Sequence, residues 1–180
     1  MAEVSVRPAV ADDAAEIARI QVDTWRTAYA QLLPEPVLAG LSAEQSEPIW
    51  RAAISQPPSA RHHLLVAVEG RWRVGFVAFG PADDLEPDDP EPDTTVAIAP
   101  MLVEPRWGRR GHGSRLLAAT VAHARADGMT RAIAWIPEGD TPSREFYLSA
   151  GWAPDGLVRA LETGAGEVRE IRLHVSLLEA

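Results

Sequence analysis

The residues best placed to do chemistry are Val103-Glu104-Pro105-Arg106-Trp107-Gly108-Arg109-Arg110-Gly111-His112-Gly113-Ser114-Arg115-Leu116-Leu117. An apolar run ends at Val103, a glycine- and arginine-rich turn follows, and a helical pattern begins. That order leaves unpaired backbone N–H groups at a helix N-terminus, where an anionic phosphate binds well. Gly108, Gly111 and Gly113 let the backbone approach a ligand closely, so that successive amides form an anion nest. Arg109 and Arg110 can add charge-assisted bonds. An ordinary strand-to-helix turn with surface arginines is the plainer reading of the same residues. Two common phosphate motifs do not fit. The dinucleotide fingerprint needs a small residue at 116, which is Leu116, and the P-loop needs a lysine, which the chain lacks.

Other reactive types are sparse. There is no cysteine, so disulfides, thiolate metal sites and a cysteine nucleophile are excluded, and no metal site is expected. No Gly-x-Ser-x-Gly elbow supports a covalent acyl-enzyme. His63, His123 and His174 have no evident partner in the sequence and read as structural or surface residues, while His112 sits in the phosphate turn. Trp25 and Tyr29, one helical turn apart, share a face that either lines a site or joins the core. Phe146 and Tyr147 are by themselves equally readable as core aromatics. The acidic run Asp83, Asp84, Glu86, Asp88, Asp89, Glu91, Asp93 reads first as a solvated flexible loop, and second as a lure for a cationic amine.

These residues need a scaffold. With 180 residues and 46% hydrophobic composition, the chain predicts one domain spanning 1–180 with a substantial core. Its net charge of −9 argues against nucleic-acid binding, no apolar run approaches a membrane span, and the N-terminus lacks a signal-peptide core, so a cytoplasmic location is expected. Val4 to Val10 reads as a strand. Asp12 or Asp13 caps a helix to about Ala30, and Ser42 with Gln45 opens another through Trp50 and Ile54, stopped by Pro57-Pro58. His63–Glu69 and Arg73–Phe79 read as a hairpin, and Pro81–Asp93 as a loop. Thr94–Val103 is a strand in which Pro100 demands a bulge. Gly111–Ala126 is a helix, Arg131–Ile136 a buried strand, and Thr141 an N-cap with Pro142 opening a short helix. Trp152–Val158 and Val168–Leu177 close the chain as two strands around Gly164-Ala165-Gly166. The expected fold class is α/β (α+β): a mixed, mostly antiparallel sheet of about seven strands flanked by about four helices.

Met101-Leu102-Val103-Glu104-Pro105 followed by Arg109-Arg110-Gly111-His112-Gly113-Ser114-Arg115-Leu116-Leu117 resembles the acetyl-CoA-binding motif of the GNAT superfamily of N-acetyltransferases. Downstream, Asp140-Thr141-Pro142-Ser143-Arg144-Glu145-Phe146-Tyr147-Leu148-Ser149-Ala150-Gly151-Trp152 resembles that superfamily's second motif. Val6-Arg7-Pro8-Ala9 with Asp12, Asp13 and Ile17, then Trp25-Arg26 and Tyr29, is also similar to it, so the likeness covers most of the chain. Two positions depart: the family usually has Gln or Arg where this chain has Gly108, and often Asn where it has Asp140.

The resemblance implies a sheet with a splayed middle pair and direct acetyl transfer from acetyl-CoA to a primary amine of a small molecule or peptide N-terminus. It implies that Arg109, Arg110, Gly111, His112, Gly113 and Ser114 hold the pyrophosphate. The backbone of Met101, Leu102 and Val103 then pairs with the pantetheine and polarises the carbonyl, with Asp140, Ser143 and Phe146 also at the cofactor. Pro100 gains a purpose, since a bulge there frees the strand for the cofactor. Tyr147 becomes the candidate general acid, because a phenol of pKa about 10 is protonated at neutral pH and can give its proton to a thiolate of pKa about 8.5. Trp25 and Tyr29 would shape the acceptor site. The family's usual glutamate base is missing, because Val96-Ala97-Ile98-Ala99-Pro100-Met101-Leu102 carries no acid. That gap leaves a non-catalytic acyl-CoA sensor as the alternative reading. A homodimer is compatible with the resemblance.

Overall fold

The computed structural model describes residues 3–178. Seven strands form one sheet: β1 Val4–Pro8, β2 His63–Glu69, β3 Trp72–Pro81, β4 Thr95–Val103, β5 Arg131–Pro137, β6 Ala153–Glu162 and β7 Glu167–Ser176. The helices are α1 Ala14–Ala28, α2 Glu35–Ala39, α3 Ala43–Ser55, α4 His112–Ala126 and α5 Thr141–Ser149. The sheet order is β1-β2-β3-β4-β5-β7-β6. Every neighbouring pair is antiparallel except β4 and β5, which run parallel because α4 returns the chain between them.

The β4–β5 pairing spans only Thr95–Ile98 against Arg131–Ala134. Both strands then continue without each other, so the sheet opens in its middle. On the other side of β4, Val77 faces Met101 while Phe79 faces Ile98. Ala99 and Pro100 therefore stand opposite Ala78 alone, which is the expected bulge. Its local twist turns residues 99–103 away from β5.

Alternation along the strands divides the core into two layers. On β2, Leu65 and Ala67 face the layer packed by Leu116, Leu117 and Ala124 of α4, while Val66 faces the layer built on Ile17 and Ile20 of α1. Both helices carry apolar residues at helical spacing, and burying that stripe against the sheet anchors them. Helix α4 and its turn thus lie on one face of the sheet and α1 on the other. Among the described residues, no helix is long and apolar enough to cross a membrane.

Several local expectations are corrected. The short helix α2 adds a fifth; Pro36 in its first turn is the signal that marks it. Neither Asp12 nor Asp13 caps α1 through its side chain. The Asp13 carboxylate is fully buried and accepts bonds from Arg7, Arg73 and the Val10 amide. Burial opposes its charge, yet those donors together hold it at about 2. Asp140 rather than Thr141 is the N-cap of α5. The acidic loop is not freely solvated either. Asp89 is buried between Arg131 of β5 and Arg172 of β7, and Asp155 joins the same two guanidiniums.

Candidate active site

The glycine–arginine turn has the backbone of an anion site. Arg109 and Gly111 both adopt positive φ, 62° and 81°, which turns the intervening amides to one side. Only glycine adopts this without cost, so Arg109 holds a sparsely populated conformation at this point. Among the described residues, the amides of residues 109–114 donate to no protein acceptor, and the first bond into α4 comes from the Arg115 amide to the Gly111 carbonyl at 3.1 Å. The positive end of the α4 dipole adds to them.

The side chains of the turn divide in two. Glu69, at the end of β2, accepts from Arg110 at 3.1 Å and pairs with the His112 Nε2 at 2.8 Å. The His112 ring is buried, so this residue offers the turn its amide and not its imidazole. Arg110 also lies over the Trp107 ring, 5.0 Å from its centroid. Arg109 makes no ion pair among the described residues and is the cation left for a ligand. Glu69 is a residue that sequence reasoning missed, since nothing local links it to a turn some forty residues later.

A cavity of about 350 Å³ runs from this turn to the open edge of β4. Met101, Val103, Arg109, Gly111, Gly113, Ser114, Ser143 and Phe146 line it. A Cβ at Gly113 would rest in ordinary contact with the Phe146 ring, at 3.4 Å, so glycine there keeps this end of the cavity open rather than relieving a clash. A second cavity, of about 490 Å³, fills the mouth of the splayed sheet. Trp25, Tyr29, Trp50 and Trp135 form its apolar walls, and Asp83, Asp84, Arg159 and Glu170 its polar ones. The two cavities share Met101, Ser143 and Tyr147.

Tyr147 stands at that junction, only 4% exposed, against Trp152 (ring centroids 4.8 Å) and Phe146 (5.5 Å). Burial, and then the charge of Asp140, push its phenol above the ordinary tyrosine range. The group therefore stays protonated at neutral pH. The α5 cap holds the start of that helix: Asp140 Oδ1 accepts from the Ser143 amide at 3.1 Å.

A family model described as "Acetyltransferase (GNAT) family" matches residues 17–152. The chain is also 32% identical over 146 residues to the uncharacterised N-acetyltransferase YuaI of Bacillus subtilis (strain 168), covering 80% of this chain and 77% of that one. The chain belongs to the GNAT acetyltransferase family. Solved structures agree on the fold. A proposed acetyltransferase yncA from Salmonella typhimurium, with its cofactor acetyl-CoA, has a TM-score of 0.72 at 18% identity, covering 99% of this chain and 96% of that one. The PaiA N-acetyltransferase of Thermoplasma acidophilum, in complex with coenzyme A, has a TM-score of 0.73 at 12% identity, covering 97% and 99%.

Against the GNAT motifs, the site residues named from sequence take different places. Met101, Val103, Arg109, Gly111, Gly113, Ser114, Ser143 and Phe146 converge on the first cavity, and the His112 backbone joins them. Leu102 turns its side chain into the α1 core layer, so it offers the opening only its backbone. Asp140 stands behind, lining a third cavity of about 410 Å³ with Tyr29, Met101 and Ser143. Trp25 and Tyr29, whose place was open between site and core, line the second cavity. The acidic loop supplies Asp83 and Asp84 there, and Arg159 binds Asp84 and Glu170, each at 2.6 Å. Arg159, Glu170 and Trp135 were invisible from sequence because they lie on three different strands. His63 does have a partner, Asp127 at 2.7 Å, but far from the opening.

Proposed function

We propose that this acetyltransferase moves an acetyl group from acetyl-CoA directly to a primary amine of a small molecule or a peptide N-terminus. The observation that carries the reading is the meeting of the two cavities at Met101, Ser143 and Tyr147. One cavity begins at an anion-binding turn, and the other is apolar with carboxylates at its walls. The residues present fit acetyl-CoA. Unpartnered amides at 109–114 suit a pyrophosphate, and a strand edge at 99–103 without a β5 partner suits the amides of a pantetheine arm.

When bound, acetyl-CoA supplies a thioester carbonyl open to attack by an amine. Arg109 and the amides of residues 110–114 hold the phosphates, and Arg110 stays with Glu69 to shape the turn. Backbone N–H groups of Met101 to Val103 bind the pantetheine and polarise the carbonyl oxygen. Phe146 and Ser143 close the channel over it. Trp25 and Tyr29 wall the acceptor, and Tyr147 gives its phenolic proton to the departing sulfur. Three carboxylates against one guanidinium draw a protonated amine toward the opening.

Thiol release from acetyl-CoA across a panel of amines tests the reading. Turnover with at least one amine is expected, and binding of acetyl-CoA with no turnover on any of them refutes it. The lack of an acid on β4 favours a second reading, a non-catalytic acyl-CoA sensor. Tyr147→Phe separates the two: an enzyme loses turnover and keeps its acetyl-CoA affinity, whereas a sensor has no turnover to lose.

A further inference from the structure

One buried carboxylate is only half satisfied. Asp140 is 94% buried by its 6% exposure, and while its Oδ1 caps α5, its Oδ2 makes no hydrogen bond. An unsatisfied carboxylate oxygen at this depth is costly, and such atoms in native proteins ask for a reason. The place of this one is informative. Asp140 lines the third cavity with Tyr29, and Tyr29 also lines the acceptor cavity. Tyr29 thus stands between the incoming amine and the orphan oxygen. The groups bearing on it are Asp140, Tyr147 of α5 and Glu170 of β7, with Asp83, Asp84 and Arg159 on the same acceptor cavity.

We infer that Asp140, acting through the Tyr29 hydroxyl, takes the proton that the acceptor amine must lose, replacing the acid absent from β4. This rests on the transfer reading above. The acceptor ammonium gives a proton to the Tyr29 oxygen as the Tyr29 O–H proton passes to Asp140 Oδ2. The neutral amine forms the C–N bond while the C–S bond breaks. Tyr147 gives its proton to sulfur and regains the second proton shed by nitrogen as it becomes an amide. Asp140 returns its proton to solvent. One ammonium and one thioester become one amide, one thiol and one free proton. The neutrality of Tyr29 suits the relay: burial first, and then Asp140, push its phenol upward, so it passes a proton without ionising. Asp140 is a positioning residue here, because it acts through Tyr29.

Asp140→Asn is the discriminating variant, because Asn caps a helix as well as Asp and so keeps α5 in place. The chain's two tyrosines are Tyr29 and Tyr147, so tyrosinate absorbance in the free protein reads this site alone, with neither substrate present. Removing the Asp140 charge is expected to move that titration to lower pH. In turnover, Asp140→Asn and Tyr29→Phe should each lower kcat/KM about a hundredfold, the double variant should fall no further, and the remaining rate should climb with pH toward the pKa of the free amine. The relay is overturned if Asp140→Asn keeps its rate within about twofold with an unchanged pH profile. It is equally overturned if the tyrosine titration does not move, or if the two losses multiply. A wild type that turns over no amine refutes the transfer reading instead, and the tyrosine titration still reports on the Asp140–tyrosine contact.

Discussion

Asp89→Ala unties the loop between β3 and β4. In the folded chain the Asp89 carboxylate, 3% exposed, accepts from Arg172 Nη1 at 2.7 Å and also from Arg172 Nη2. Arg131 contributes a weaker contact at 3.4 Å. The Arg172 bond, with a second bond from the Glu86 amide, outweighs desolvation and holds the Asp89 carboxyl at about 2. Against an ordinary value of about 3.9, that is roughly 2–3 kcal/mol of stability. Because the folded value is depressed, this contribution is complete above about pH 5 and disappears as pH falls through about 2. Alanine costs more than that sum, because Arg172 is 2% exposed and would keep only Asp155 as a partner. Breaking a buried pair from one side costs about 3–5 kcal/mol, or roughly 6–20 °C in Tm for a chain of this size.

The same loop carries Asp83 and Asp84 to the acceptor cavity, so the acceptor KM should rise while the acetyl-CoA Kd stays put. Thermal unfolding of wild type and variant between pH 7 and pH 3 checks the stability, isothermal titration of acetyl-CoA checks the Kd, and steady-state thiol release against acceptor concentration checks the KM. The stability gap should narrow as pH falls. A variant within about 1 kcal/mol of wild type at pH 7, or a gap independent of pH, would refute the assignment of Asp89 as the loop's anchor.

Tyr147→Phe should lower kcat by about a hundredfold or more and leave acetyl-CoA affinity unchanged, because the ring and its packing on Trp152 survive; pre-steady-state thiol release reads this directly. Arg109→Ala removes the unpaired cation of the phosphate turn and should weaken acetyl-CoA binding about tenfold at low salt, with a shallower salt dependence in titration calorimetry. Gly111→Ala places a Cβ at φ +81°, costing about 1 kcal/mol in thermal unfolding and disturbing the amides at 112–114, so its Kd for acetyl-CoA should rise with kcat little changed.

The periodic elements and the two motifs were legible from sequence because their determinants are local. Apolar spacing on α1 and α4, the Ser42 cap, and the glycines of the phosphate turn each act within a few residues. Pro100 was enough to demand a bulge, since a proline cannot donate in a central strand. The facing of Met101–Val103 and Tyr147 was expected from the family resemblance, whereas the place of Ser143 between the two cavities is visible only in the structure. Asp13 does occupy the N-cap position of α1, but its carboxylate went to two distant guanidiniums instead of the helix amides, and at α5 Asp140 took the cap from its neighbour Thr141; no local rule ranks those choices.

By itself, then, the sequence determined the strands and helices, a glycine- and arginine-rich turn opening α4 and a tyrosine on α5, all properties of short contiguous stretches, while the splayed sheet was expected from the family resemblance. Only the tertiary structure decided what surrounds them. It brought Glu69 of β2 to the side chains of His112 and Arg110, which braces the turn and leaves its amides at 109–114 without a protein acceptor among the described residues. It also pinned the acidic loop by Asp89, and left the Asp140 oxygen facing Tyr29. These contacts join residues tens or more positions apart, and their strength comes from burial and low local dielectric, which exist only once the chain has closed around them.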